Sequence, residues 1–142
     1  MVMKLGKLEQ ITDLRSIWKH EANDFTPWLA KEENLAALSD AIGIELVLEE
    51  QESYVGDFSV DLFATEEGTG RKVVIENQLE ETNHDHLGKI ITYASGKDAE
   101  VIIWIVRKAR DEHKKAIEWL NQHTDDSSAF FLIEIEVWKI GN

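Results

Sequence analysis

Asp61, Glu76 and Gln78, two carboxylates and an amide, fall on what the sequence predicts to be the two arms of one hairpin. The runs Phe58 to Ala64 and Lys72 to Leu79 are rich in β-branched and aromatic residues, and Gly68 and Gly70 between them suit the positive φ angles of a reversal. Centring that reversal between Gly68 and Thr69 sets Asp61 opposite Glu76, with Gln78 two residues on along the same face. Like charges directly opposed, with Cβ atoms about 5 Å apart, are destabilising. At an effective dielectric of roughly 20, two full charges at that separation repel by about 3 kcal/mol. A shared proton, a bound cation or a slipped register would each offset the repulsion, and the functional answer among them is a divalent metal.

The alternate face of the same arms carries Val60, Leu62, Ala64, Val73, Ile75 and Leu79, a core face. Phe63 and Val74 accompany the carboxylates, so their side is expected to be partly covered as well. Upstream, Thr26 can cap a helix with Pro27 at its first position, an apolar stripe of Trp28, Leu35, Leu38 and Ile42, and Gly43 as its end. Ile44, Leu46 and Leu48 alternate with Glu45 and Glu49 as a half-buried strand. Downstream, Leu87, Ile90, Ile91 and Ala94 recur at helical spacing from Asp85 to Ser95, with Gly96 as the stop. Val101 to Val106 is apolar throughout, as befits a central or parallel strand buried on both faces. Asp111 opens a further helix with His113, Ala116, Ile117 and Leu120 inward, and Phe130 to Val137 forms a last strand with Glu134 and Glu136 outward. The order αβββαβαβ predicts an α/β fold, a mixed sheet flanked by helices, in a single domain over 1–142.

Composition narrows the function classes. A chain of 142 residues with 43% hydrophobic and 30% charged residues can build one ordinary globular core. Cysteine is absent, which removes disulfides and thiolate metal sites. The apolar run from Val101 to Val106 is too short to span a bilayer, and Met1 to Leu14 has no apolar signal-peptide centre, so the chain reads as cytoplasmic, with no membrane partner. A net charge of −13 argues against a generally basic nucleic-acid surface. The local exception is Arg107 to Lys115, which holds five of the fifteen Lys and Arg residues. Arg107, Lys108 and Arg110 are its candidate phosphate contacts, against the plainer reading of a solvated helix start paired internally through Asp111 and Glu112.

The element order, with Asp61 on the second strand of the αβββαβ core and Glu76-x-Gln78 on the third, resembles the PD-(D/E)XK nuclease superfamily, the restriction-endonuclease-like fold. Nearly the whole chain is similar to one largely uncharacterised prokaryotic branch of it. The matching stretches are Trp18-Lys-His-Glu-Ala-Asn-Asp-Phe-Thr-Pro-Trp-Leu-Ala30, Val55-Gly-Asp-Phe58 with Asp61, Val74-Ile-Glu-Asn-Gln-Leu79, Asn83-His-Asp-His-Leu-Gly88 and Trp119-Leu-Asn121. Relatives in that branch often continue into a second domain, so the resemblance implies an N-terminal part or a short member.

What the resemblance implies is a site in which Asp61 and Glu76 ligate Mg²⁺ or Mn²⁺ with help from the Asn77 carbonyl, and in which Glu21 near the first helix joins the cluster. Such a metal would lower the pKa of a bound water and polarise a phosphodiester. Gln78 departs from the commonest motif, which has Lys there; an amide orients a water or phosphate but does not stabilise developing negative charge as a cation does. Lys89, or one of His84 and His86, could supply that charge. Asn83-His84-Asp85-His86 also resembles a metal cluster, yet Asn83 or Asp85 is what a helix N-cap needs, and successive loop residues rarely converge on one ion. The bland reading of Glu21 is a partner for helix amides or Lys19, and Trp18, Trp28, Trp104, Trp119 and Trp138 read as packing rather than base platforms.

The expected activity is hydrolysis of nucleic acid, DNA in the first instance, by a metal-dependent nuclease-like domain. Two alternatives stand beside it: a catalytically degenerate acidic interaction module of a defence or repair system, favoured by Gln78 and the charge, and a metal-dependent hydrolase of some other phosphate ester. So acidic a domain is expected to need a dimer partner, a further domain or a delivering protein to hold its substrate.

Overall fold

Val101 to Val106 has an apolar side chain at every position because the strand it forms lies at the interior of a sheet with helices on both sides. The computed structural model describes residue 3 and residues 5–141. In chain order it comprises β1 (Lys7–Ile11), α1 (Thr26–Ala30), α2 (Glu32–Ile42), β2 (Leu46–Val55), β3 (Phe58–Glu66), β4 (Lys72–Glu81), α3 (His84–Lys97), β5 (Val101–Lys108), α4 (Asp111–His123), β6 (Ala129–Glu134) and β7 (Val137–Gly141). The main sheet runs β2-β3-β4-β5-β6, antiparallel from β2 to β4 and parallel from β4 to β6. The α/β class, the mixed sheet and the buried parallel strand are as the pattern predicts.

Two apolar layers enclose that sheet. Leu62, Ala64, Val73, Ile75 and Leu79 pack with Phe25, Leu29, Leu35 and Leu38 from the side of α1 and α2. Val74, Ile102, Trp104 and Val106 pack with Ile90, Tyr93 and Ile117 from α3 and α4. Val60 is the exception to the expected core face: it joins the second layer, on the side opposite Leu62.

Several boundaries differ from the sequence expectation. The predicted first helix is broken: a π-helical turn over Glu21–Phe25 precedes α1, and Lys31, extended at φ −64° and ψ 142°, separates α1 from α2. Thr26 is therefore inside helical structure rather than capping it, and its hydroxyl is used elsewhere. Strand β2 starts after Ile44 and runs on to Val55 through a register shift between Leu48 and Glu50, with Glu52 left-handed at φ 57°. Gly96 does not stop α3. It lies within the helix at a close approach to Val55, where a Cβ would collide with Val55 Cγ1, and Asp98 at φ 54° closes the helix instead. The expected final strand divides into β6 and β7, and β7 turns away to pair with β1, a strand the sequence reading missed. Among the described residues no helix is long and apolar enough to cross a membrane.

Candidate active site

The register of β3 against β4 is the one centred between Gly68 and Thr69: Thr65 pairs with Lys72, Ala64 with Val73, Phe63 with Val74 and Leu62 with Ile75. There the backbone ladder ends. The next residues along, Asp61 and Glu76, bridge the parting strands with their side chains. Glu76 Oε1 accepts the Asp61 amide hydrogen at 3.0 Å, and Asp61 Oδ2 accepts that of Asn77 at 2.7 Å. Further along the same edge of β4, the Leu79 amide donates to Glu21 Oε1 at 3.0 Å. The amides of Asn77 and Leu79, which a continuing β3 would have paired, are thus satisfied by carboxylates brought from two other places in the fold.

Each carboxylate reaches this fork for a local reason. Asp61 and Glu76 follow from the hairpin register. Glu21 opens the π-helical turn, where the Phe25 amide reaches back to the His20 carbonyl at 3.2 Å. Arg15 braces Glu21 with a 2.9 Å ion pair and holds Glu80 at the same distance with the same nitrogen. Asn77 anchors the helical turn from the sheet side, its Nδ2 donating to the buried Thr26 hydroxyl at 3.0 Å. Because N–H and C=O of one strand residue face the same edge, the Asn77 carbonyl also opens toward the fork.

The electrostatics are those of a charge held without its counterion. Burial first, then the charges of Glu52 and Glu21, raise the Asp61 carboxyl to about 6, against the opposing pull of the Asn77 amide. Burial and the Asp61 charge raise Glu76 to about 9, while the Asp61 amide and the Lys89 charge pull it back. The dyad therefore keeps a proton at neutral pH, the shared-proton answer to the repulsion. Glu52 is a residue that sequence reading missed. Its left-handed backbone belongs to the irregularity in β2, which has no signature in the sequence, and Ser59 Oγ donates to it at 3.2 Å.

Hard oxygen ligands around an uncompensated negative charge fit a divalent cation. Asp61 and Glu76 each have one oxygen engaged by a backbone amide, which leaves Asp61 Oδ1 and Glu76 Oε2 for an ion. Among the described residues no three His, Cys, Asp or Glu side chains converge as a complete centre.

The remaining candidates separate. Gln78 is fully buried, its Oε1 accepting from Trp104 Nε1 at 3.1 Å and its Nε2 donating to the Glu81 carbonyl at 2.8 Å. Its amide is thus committed to the fold at both ends. Asn83 caps α3, accepting from the His86 amide at 2.8 Å. Lys89 pairs with Asp85 at 3.3 Å and is the cation whose charge acts on Glu76. The His86 ring contacts Asn83 Oδ1 at 3.2 Å, and burial and Lys89 lower its pKa. His84 Nδ1 lies 3.0 Å from His113 Nε2, and His113 Nδ1 lies 2.7 Å from Thr82 Oγ1. Arg110 is held by Glu112 at 2.9 Å, as the internal-pairing reading expects, whereas Arg107 and Lys108 are exposed at the end of β5. Trp104 is buried as a packing residue, while Trp119 and Trp138 are 57% and 45% exposed.

Solved structures share this arrangement of sheet and helices. A repair endonuclease from Pyrococcus abyssi superposes with a TM-score of 0.55 at 14% identity, over 74% of this chain and 46% of that one. The EndoMS–dsDNA complex does so with a TM-score of 0.51 at 16% identity, over 73% and 44%. The chain has the restriction-endonuclease-like fold. It spans less than half the length of either structure, and at these identities the likeness carries the fold alone. No protein-family model and no curated protein matches it by sequence. Within the restriction-endonuclease-like fold, the carboxylate fork lies where β3 and β4 part, flanked by the π-helical turn and the first turns of α3.

Proposed function

We propose that this domain binds nucleic acid, DNA in the first instance, and hydrolyses phosphodiester bonds with Mg²⁺ or Mn²⁺ held by Asp61 and Glu76. The single observation that carries the reading is the reciprocal lock in which each of the two carboxylates accepts a backbone amide across the strand fork, leaving its other oxygen free. The ion would acidify a bound water and polarise the phosphoryl oxygen. The chain's own residues would hold the ion, with the Asn77 carbonyl beside it and Glu21 and its Arg15 brace setting the edge of the site. Lys89, whose charge acts on Glu76, would carry the positive charge that Gln78 lacks. That the fold is shared with repair endonucleases supports a nuclease over another phosphate-ester hydrolase.

Nicking of supercoiled plasmid and of short single strands tests this, with purified protein in Mg²⁺ or Mn²⁺ at low salt and Glu76→Ala as control. The expected result is slow, metal-dependent cleavage that Glu76→Ala abolishes. Equal residual cleavage by both proteins would assign it to contamination and leave the second reading, an acidic interaction module. The sealed amide of Gln78 and the net charge of −13 favour that second reading.

A further inference from the structure

Beside the carboxylate pair runs a groove of about 420 Å³, and of its lining only Lys89 serves the proposed hydrolytic chemistry. Phe58 begins β3 just before Asp61 and is 61% exposed, an outward aromatic ring at the rim of an acidic fork. Behind it stands Tyr93, 6% exposed, with ring centroids 6.3 Å apart and planes at 36°. Lys89, His84 and Asp85 from α3 line the same groove, Asp85 paired to Lys89 at 3.3 Å. The groove is electrically continuous with the fork: burial and then the charge of Glu76 raise the Tyr93 phenol, and Lys89 acts on Glu76.

Gly88 forms part of the wall. A glycine inside a helix is destabilising relative to alanine. Gly88 has no positive φ, and a Cβ built on it meets nothing within 4 Å, so neither backbone conformation nor packing calls for it. A side chain larger than a methyl at this position would project into the groove.

Resting on the nucleic-acid reading above, we propose that this groove receives one unpaired base of the strand bound at Asp61 and Glu76, its face on Phe58 and its phosphate toward Lys89 and His84. An exposed aromatic offers stacking to any base, and the Lys89 ammonium at the rim answers the backbone charge. The volume falls in the range of about 300–1,000 Å³ typical of small-ligand sites. A base inside a duplex keeps both faces stacked on its neighbours and has none to give Phe58.

The test is binding in the absence of divalent metal, so that no strand is cut, by the full chain at fixed ionic strength. The probes are a duplex with one unpaired 2-aminopurine, the same duplex fully paired, and free deoxyadenosine monophosphate. The expected result is about ten-fold tighter binding of the unpaired probe, with a fluorescence change on binding that Phe58→Ala abolishes and Phe58→Trp retains. Gly88→Leu should block the groove, while Gly88→Ala should bind normally and melt no lower than wild type. Equal, salt-sensitive binding of both duplexes, indifferent to Phe58→Ala and Gly88→Leu, overturns the groove and leaves the nucleic-acid reading standing. Binding of the free nucleotide with neither duplex bound overturns it as a strand site and makes it a small-ligand pocket. Binding of no probe removes both readings.

Discussion

Asp61 gives its amide hydrogen to Glu76 across the point where the ladder between β3 and β4 ends, and its own carboxylate takes the amide of Asn77. Both acids are thereby fixed in place, and neither amide supplies the positive charge that would cancel the negative charge left on the dyad. Stability, pH and metal should consequently be linked at this one position.

The linkage has a definite sign. The folded-state pKa values of Asp61 and Glu76, about 6 and about 9, lie above their unfolded values, so the folded state binds more protons. Their contribution is fully present below the unfolded values and is lost as pH rises through the folded ones. In EDTA, the melting temperature should therefore fall between pH 5 and pH 9. Asp61→Asn and Glu76→Gln, which keep an acceptor oxygen but remove the ionisable group, should melt above wild type at pH 7, by about 3–4 °C for each kcal/mol of relieved strain. Calorimetry across that range decides it; a wild-type melting temperature that rises with pH contradicts the assignment of a strained pair.

Metal should reverse the strain. A cation that binds only the folded protein stabilises it by about 2.7 kcal/mol at a hundred times its Kd. Wild type should gain melting temperature steadily with added Mg²⁺ or Mn²⁺, and Asp61→Asn should gain little. Indifference of wild type to millimolar-range Mn²⁺ would remove the metal from this site.

Glu21 permits a separation of structural from functional roles. Glu21→Ala strands the Leu79 amide, a loss on the order of 1–3 kcal/mol if that amide stays dry. Glu21→Gln retains the acceptor and should fold with nearly wild-type stability while lowering any metal-dependent cleavage. If Glu21→Gln cleaves at the wild-type rate, Glu21 is a structural cap for β4 and nothing more.

Gln78 should not tolerate the residue most common at its place in the motif. A lysine there would put a charge in a fully buried position and leave Trp104 Nε1 and the Glu81 carbonyl without partners. Gln78→Lys should cost at least about 2 kcal/mol and fail to raise activity. A stable, more active Gln78→Lys protein would show that the amide lock is dispensable.

The basic segment is unequal in its parts. Charge reversal at Arg107 or Lys108, both exposed, should each flatten the salt dependence of nucleic-acid binding by about one unit of slope. Reversal at Arg110 should do less, because Glu112 already occupies it. Titrations of binding against salt concentration measure all three.

Local chemistry sufficed for much of this. The reversal at Gly68 and Gly70 set the β3–β4 register, and with it the meeting of Asp61 and Glu76, because the placement of a turn fixes which residues of the two arms oppose each other. The unbroken apolar run of β5 announced a strand buried on both faces for a similarly local reason. The αβββαβ order, together with the resemblance carried by the longer matching stretches, indicated the fold. What only the tertiary structure decided depends on which distant groups fill a position. Whether Gln78 faces substrate or is sealed depends on Trp104, 26 residues away. Whether Glu21 joins the fork depends on a π-helical turn anchored by Asn77, 51 residues from Thr26. Glu52 bears on Asp61 from an irregular stretch of β2, and the glycine at 96 answers the close approach of Val55 rather than ending a helix. A side chain's neighbours along the chain limit its direction, but its burial and its charge state are set by residues that the chain brings back to it in space.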